Sequence, residues 1–315
     1  MSRIFPATIA LFALTIMLNP LQADSLTISS PLPLALALWT LQEPTGVARV
    51  SSGIYAYKLI DGNTSNAIKR VAANNAPFGE YAASFSALNY NNSARLYSPR
   101  DEAFEITEGI SGPNATVTLV SWISLSQSNK NGGAIVAGVW DEYGIVGGST
   151  GARAYALFLN LAICQQPLNG SLFAGGVVAH ISPVGGPTPP GKFCTTAACD
   201  PRKLESNSWH CIANTYDGNE IRAYVNGTFI NNSFRNPFHL EGGIFDPKST
   251  NASGNGGRIG AEFGVGANRV NSTDIGQNGY RWANTYEGLL GGIAVWNTSL
   301  SQADIIRACA LGKGF

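Results

Sequence analysis

The chain has 315 residues, with 20 Lys plus Arg against 20 Asp plus Glu and therefore no formal net charge. That balance lacks the basic field that nucleic acid or an anionic membrane surface would require, so those partners are set aside. Charged residues make up only 13%, hydrophobic residues 44%, and there are 36 Gly and 16 Pro, a composition rich in turns, poor in long solvated helices and ample for a core.

The chain opens on Met1-Ser2-Arg3, a short positive start, followed by a mostly apolar run from Ile4 to Leu18 that Pro6 interrupts. Leu21-Gln22-Ala23 then offers a small residue at a cleavage position, so residues 1–23 read as a secretory signal and the protein as secreted. Residues 24–34 form an N-terminal extension, and 35–315 read as one domain. No later run reaches the roughly 20 apolar residues of a membrane helix, so no membrane insertion is expected.

Strand-like runs follow at 36–41, 55–59, 81–85, 116–125, 134–140, 154–163, 172–181, 209–216, 221–225, 258–263 and 286–296. They are short, separated by Gly, Pro and Asn clusters, and almost free of helical periodicity, which indicates an all-β fold of two packed antiparallel sheets. Between the seventh and eighth runs, Pro183, Pro187, Pro189 and Pro190 remove ladder donors from 182–191, which must be a surface loop. Residues 209–230 form a meander: Asp217-Gly218-Asn219 separates two runs, and Asn226-Gly227 tolerates the positive φ of a tight hairpin. On the second run, Arg222 and Tyr224 alternate with smaller residues and should face away from the core. The last element is a short C-terminal helix, whose first turn Ser301 and Asp304 can cap.

The stretch W-H-x-x-A-x-T-Y-D-G-x-x-x-R-x-Y-V-N-G (209–227) resembles the central hairpin of laminin G-like, concanavalin A-like lectin/glucanase domains. Ala37-Leu38-Trp39-Thr40-Leu41 resembles that family's first strand, with Trp39 and Leu41 pointing into the core, and 288–297 with 300–305 resembles its closing strand and terminal helix. The resemblance spans roughly 35–310 and implies a jelly-roll sandwich with a short C-terminal helix. W-D-E-Y-G (140–144), R-A-Y-A-L-F-L (153–159) and H-I-S-P-V-G-G-P-T-P (180–189) look like a pattern of exported members of the family.

Five cysteines, Cys164, Cys194, Cys199, Cys211 and Cys309, lie after the signal, where an oxidising compartment favours disulfides over zinc. Cys164 ends one strand and Cys211 lies early in another expected to neighbour it, whereas Cys194 and Cys199 share one loop. The expected bonds are Cys164–Cys211 and Cys194–Cys199, with Cys309 unpaired. Nine N-glycosylation sequons, at Asn63, Asn91, Asn114, Asn169, Asn226, Asn231, Asn251, Asn271 and Asn297, exceed chance and point to a glycoprotein.

Long ordered loops at sandwich edges often carry binding residues, and 182–191 begins two residues after His180. Trp140, Asp141, Glu142, Arg153 and His180, with Thr188 from the loop, form the candidate ligand site. The indole can stack on a sugar ring, while the acids, the guanidinium and the imidazole exchange hydrogen bonds with hydroxyls. The competing reading gives each a structural role: Trp140 in the core, Asp141 paired with Arg153 across a hairpin, and His180 as a satisfied strand histidine. Catalysis has little support. The E-x-D-x-x-E run of related glucanases is absent, Asp101–Glu108 has the wrong order, and adjacent Asp141 and Glu142 would face opposite sides of a strand. Asp61-Gly62-Asn63, Asp141-Glu142 and Asp274 could supply oxygen to one structural Ca²⁺, since many relatives hold an ion at the sandwich rim. The sequence thus points to an extracellular recognition module whose partner is a glycan or, alternatively, an extracellular protein, with hydrolase or lyase activity a weaker third.

Overall fold

A computed structural model describes residues 31–62, 68–86, 94–98, 109–126, 133–146, 149–164, 176–186, 194–232, 235–246, 262–271 and 280–314. In chain order their strands are β1 (Ala37–Trp39), β2 (Arg49–Val50), β3 (Lys58–Asp61), β4 (Ile68–Ala72), β5 (Tyr81–Phe85), β6 (Leu96–Tyr97), β7 (Val117–Leu125), β8 (Ala134–Val146) and β9 (Ser149–Leu159). Then come β10 (Val177–Ile181), β11 (Ala197–Asp200), β12 (Trp209–Tyr216), β13 (Glu220–Val225), β14 (Phe238–His239), β15 (Phe263–Val265), β16 (Asn268–Asn271), β17 (Tyr280–Ala283), β18 (Gly288–Trp296) and the helix α1 (Gln302–Cys309). No helix among the described residues is long and apolar enough to cross a membrane.

Two eight-stranded antiparallel sheets form the sandwich. The first runs β14-β13-β12-β7-β18-β5-β4, with β1 also on β18, and the second runs β11-β10-β9-β8-β15-β6-β3-β2. Alternation along the strands sends Val117, Leu119, Ile123, Leu290, Ile293 and Val295 inward from the first sheet against Val136, Val139, Tyr155, Leu157, Val177 and Ala179 of the second. Trp39 and Leu41 join this core as the sequence indicates, and the Trp39 Nε1 donates to the Tyr57 carbonyl at 3.1 Å.

The outer faces are covered too, which explains why β7 and β10 are buried at every residue. On the first sheet, α1 lays Ile305, Ala308 and Cys309 over Val120, Trp122 and Trp296. Its N-cap is the expected one, with the Ser301 hydroxyl accepting from the Asp304 N–H at 3.2 Å. On the second sheet, Ile135, Trp140, Phe158 and Val178 pack with Cys164, Cys194 and Cys199. Tyr224 leaves the outer face of β13 as its spacing indicates but is buried there, edge-on to Phe229.

Turn chemistry places the meander. Asp217 Oδ1 accepts from the N–H groups of Asn219 and Glu220 at 2.9 and 2.8 Å. Asn226 and Gly227 take φ of 50° and 80°, closing a two-residue turn with reciprocal Val225 and Thr228 backbone bonds.

The expected disulfides are corrected. Cys164 bonds Cys199, with Cα atoms 5.7 Å apart, and Cys211 bonds Cys309, at 5.6 Å, while Cys194 is free and buried. Cys164 and Cys211 cannot meet because they sit on opposite outer faces, with both sheets and the core between them. Cys194 and Cys199 do not share a loop, because Cys199 belongs to strand β11, paired to Val178 of β10. Cys309 reaches Cys211 because α1 folds back onto the first sheet.

Candidate functional site

The long hairpin of β8 and β9 sets the site. β8 extends past Trp140 to Val146 and β9 starts at Ser149, so the W-D-E-Y-G run lies within a strand rather than at its end. The register shifts between Val139 and Trp140, where Trp140 comes opposite Arg153, and such irregularities re-aim side chains. His180 lies on β10 between Ala156 of β9 and Ala197 of β11.

On the outer face of the second sheet these strands surround a cavity of about 460 Å³. Its inner part is aromatic: the Trp140 and His180 rings lie 4.8 Å apart between centroids, and Phe158 meets both edge-on at 5.5 Å. Leu161 and Ile163 add apolar wall, and Glu142, Thr195 and Asn284 supply polar groups that keep contact with solvent. The Trp140 Nε1 donates to Glu142 Oε1 at 3.2 Å, which fixes indole and carboxylate relative to each other. A largely apolar hollow with a few placed polar groups is the usual form of a small-ligand site.

His180 is the unusual member. It is 2% exposed, and burial, with the Arg153 charge adding to it, pulls its pKa down to about 3. At neutral pH the ring is uncharged. It bonds to the Thr196 backbone, but its Nδ1 is buried without a hydrogen-bond partner among the described residues, and a buried polar atom left that way is costly. The strand position is held from across the core, where Asn214 of β12 donates its Nδ2 to the carbonyls of Ala156 and His180 at 3.2 and 3.3 Å.

Of the six candidate ligand residues, Trp140, Glu142 and His180 share the cavity wall. Asp141 and Arg153 are partnered and nearly fully buried and do not line it. Thr188 lies outside the described residues, and the segment after it contributes Thr195 instead. Thr195, Asn284 and Phe158 were not singled out by sequence reasoning. Thr195 and Asn284 come from segments far apart in the chain, and only the fold joins them.

For calcium, Asp61 is engaged by Arg49 at 2.5 Å, Asn63 and Asp274 lie outside the described residues, and among the described residues no three His, Cys, Asp or Glu side chains gather as a metal site. Asn114, Asn226, Asn231 and Asn297 are exposed, and Asn226 Oδ1 accepts from the Cys211 N–H. Asn63, Asn91, Asn169 and Asn251 fall outside the described residues, as do residues 1–30 and the acidic 101–108 run.

No protein-family model and no curated sequence matches the chain. Among solved structures, domain 4 of AbnA, a GH43 extracellular arabinanase from Geobacillus stearothermophilus in complex with arabinotriose, is similar at 13% identity and a TM-score of 0.47, over 88% of this chain and 98% of that one. The botulinum neurotoxin serotype D ligand-binding domain in complex with N-acetylneuraminic acid is similar at 10% identity and a TM-score of 0.47, over 87% of this chain and 50% of that one. The binding domain of botulinum neurotoxin DC in complex with rat synaptotagmin II follows at 7% identity and 0.47, over 87% and 51%. The chain spans about half the length of these toxin chains. At these scores no residue role or ligand passes from those proteins to this chain.

Proposed function

We propose that the chain is an extracellular carbohydrate-recognition module of the laminin G-like, concanavalin A-like class, binding one sugar unit in the cavity that Trp140 and His180 line. The observation that carries this reading is the largely apolar cavity whose wall joins Trp140, Phe158 and an uncharged His180 ring to a few polar groups. A neutral imidazole nitrogen accepts a hydrogen bond from a hydroxyl, where an imidazolium would seek an anion. Glu142, Thr195 and Asn284 add acceptors and donors at the rim, and Trp140 adds apolar ring surface. The two disulfides suit an oxidising compartment.

A glycan array probed with the folded protein, with Ca²⁺ and with chelator, tests this reading. Reproducible binding to a related set of glycans is expected, reduced about 10–100-fold in Trp140→Ala, which corresponds to ~1–3 kcal/mol of lost ring contact. Absence of binding, or binding unchanged in a folded Trp140→Ala protein, would overturn it, and released reducing ends would reveal an enzyme. A second reading, protein adhesion, is favoured by the exposed apolar side chains of Leu34, Val47, Val50, Ile54 and Tyr55, all within residues 34–55.

A further inference from the structure

On the outer face of the first sheet α1 lies over Val120, Trp122 and Trp296, with Phe78 and Phe229 packed on the same apolar cluster. At the other ends of the same strands the face changes character. Ser84 of β5, Leu289 of β18, Ser124 of β7 and Trp209 of β12 stand opposite one another in register, forming one row across four strands. At the usual strand spacing that row is about 14 Å long. It runs through a hollow of about 450 Å³ whose remaining polar wall comes from Asn74, Ser126 and Asn207.

Two properties set this hollow apart from an ordinary surface groove. Among the described residues its wall holds no charged side chain: Lys69, next in the row on edge strand β4, lies beyond it. The Trp209 side chain is also held in place. Its Nε1 donates to the Asn74 carbonyl at 3.1 Å, so the indole N–H is used and its ring surface is what remains to offer. The register of β18 against β7 shifts between Leu290 and Gly292. Gly291 lies there, where a Cβ would stand 3.0 Å from Trp209 Cζ3 and 2.6 Å from Pro77 Cδ, so the missing side chain is what lets ring and loop close together.

An anion would require a cation in the wall, a cation would require a carboxylate, and a purely apolar ligand would offer no polar partner to the Ser84 and Ser124 hydroxyls and the Asn74 and Asn207 amides. A fixed aromatic surface beside neutral hydroxyls and amides suits an uncharged polyol. We propose that this groove is a second saccharide site, taking a short neutral oligosaccharide laid across the strands with one ring against Trp209. It shares no residue with the cavity at Trp140 and stands on its own observations.

The test is titration calorimetry of the folded full chain with linear trisaccharides of glucose, mannose, galactose and arabinose, alongside sialylated and sulfated trisaccharides. One or more neutral trisaccharides should bind, at least about 10-fold more weakly in Trp209→Ala and in Ser84→Phe, which fills the groove from a partly exposed strand position. Trp209→Phe, which keeps a ring, should lose less, and Trp140→Ala should leave this binding event in place. Binding lost only in Trp140→Ala would overturn the second site and leave the first. Binding lost only in Trp209→Ala and Ser84→Phe would do the reverse. No neutral ligand at all, preference for the charged sugars, or an unchanged affinity in Ser84→Phe would also overturn it.

Discussion

At the scale of single residues, His180 has a measurable signature. Its pKa in the folded chain, about 3, lies below the ordinary 6.5 because burial and the neighbouring Arg153 and Arg235 charges disfavour the imidazolium. The unfolded chain therefore takes up a proton between those two values that the folded chain refuses. The stability linked to His180 is complete above pH 6.5 and is lost progressively as pH falls toward 3. Thermal melts from pH 7 to 3.5 should show a decline that is shallower in His180→Gln, and equal slopes would contradict the buried neutral ring. Ligand affinity, by contrast, should stay flat between pH 7 and 5 as far as His180 is concerned, since Nδ1 keeps its lone pair throughout. That Trp140, Glu142 and His180 would gather on one wall was legible from an aromatic and acidic cluster at 140–142 and a histidine just before the proline-rich loop. Asp141 and Arg153 carried the same polar signal, but polarity does not say whether a side chain opens on a cavity or is spent on buried partners, and neither of these lines the wall.

At the scale of elements, most central strands were legible and several edge strands were not. β5 and β12 lie where their alternation and turn residues put them, at Tyr81–Phe85 and Trp209–Tyr216. β4 is an edge strand where one partner suffices and Lys69 and Arg70 guard the open side, so its composition reads as loop, while β11 and β14 also each end a sheet and are too short to show alternation. The disulfide pairing was illegible for a related reason: it depends on which outer face each cysteine occupies, and the fate of Cys309 on where α1 folds back. Asn214 shows how one element positions another, since it is buried on β12 of the first sheet yet bonds carbonyls of β9 and β10 in the second. Asn214→Ala removes both bonds and should cost about 1–3 kcal/mol in denaturant unfolding. It should also weaken ligand binding at His180, whereas Asn214→Ala with full stability would show the tie to be unimportant.

At the scale of the whole molecule, the two crosslinks close loops of different size. Cys211–Cys309 spans 98 residues and Cys164–Cys199 spans 35, and loop-closure entropy makes the longer one the stronger stabiliser by about 1 kcal/mol. The paired replacement of Cys211 and Cys309 by Ala should therefore lower the denaturation midpoint more than that of Cys164 and Cys199, and the reverse order would show local packing to dominate. Non-reducing peptide mapping should recover Cys309 joined to Cys211 and Cys194 as a free thiol. The sandwich presents a distinct surface on each outer face, and the one at His180 is where a glycan is expected to bind. ¹⁵N NMR of imidazole-labelled protein, titrated with the strongest ligand from the glycan array, tests it most directly. The His180 Nδ1 resonance should shift, saturate with binding and stay unmoved in Trp140→Ala. A saturable glycan that leaves His180 Nδ1 unmoved would contradict binding there.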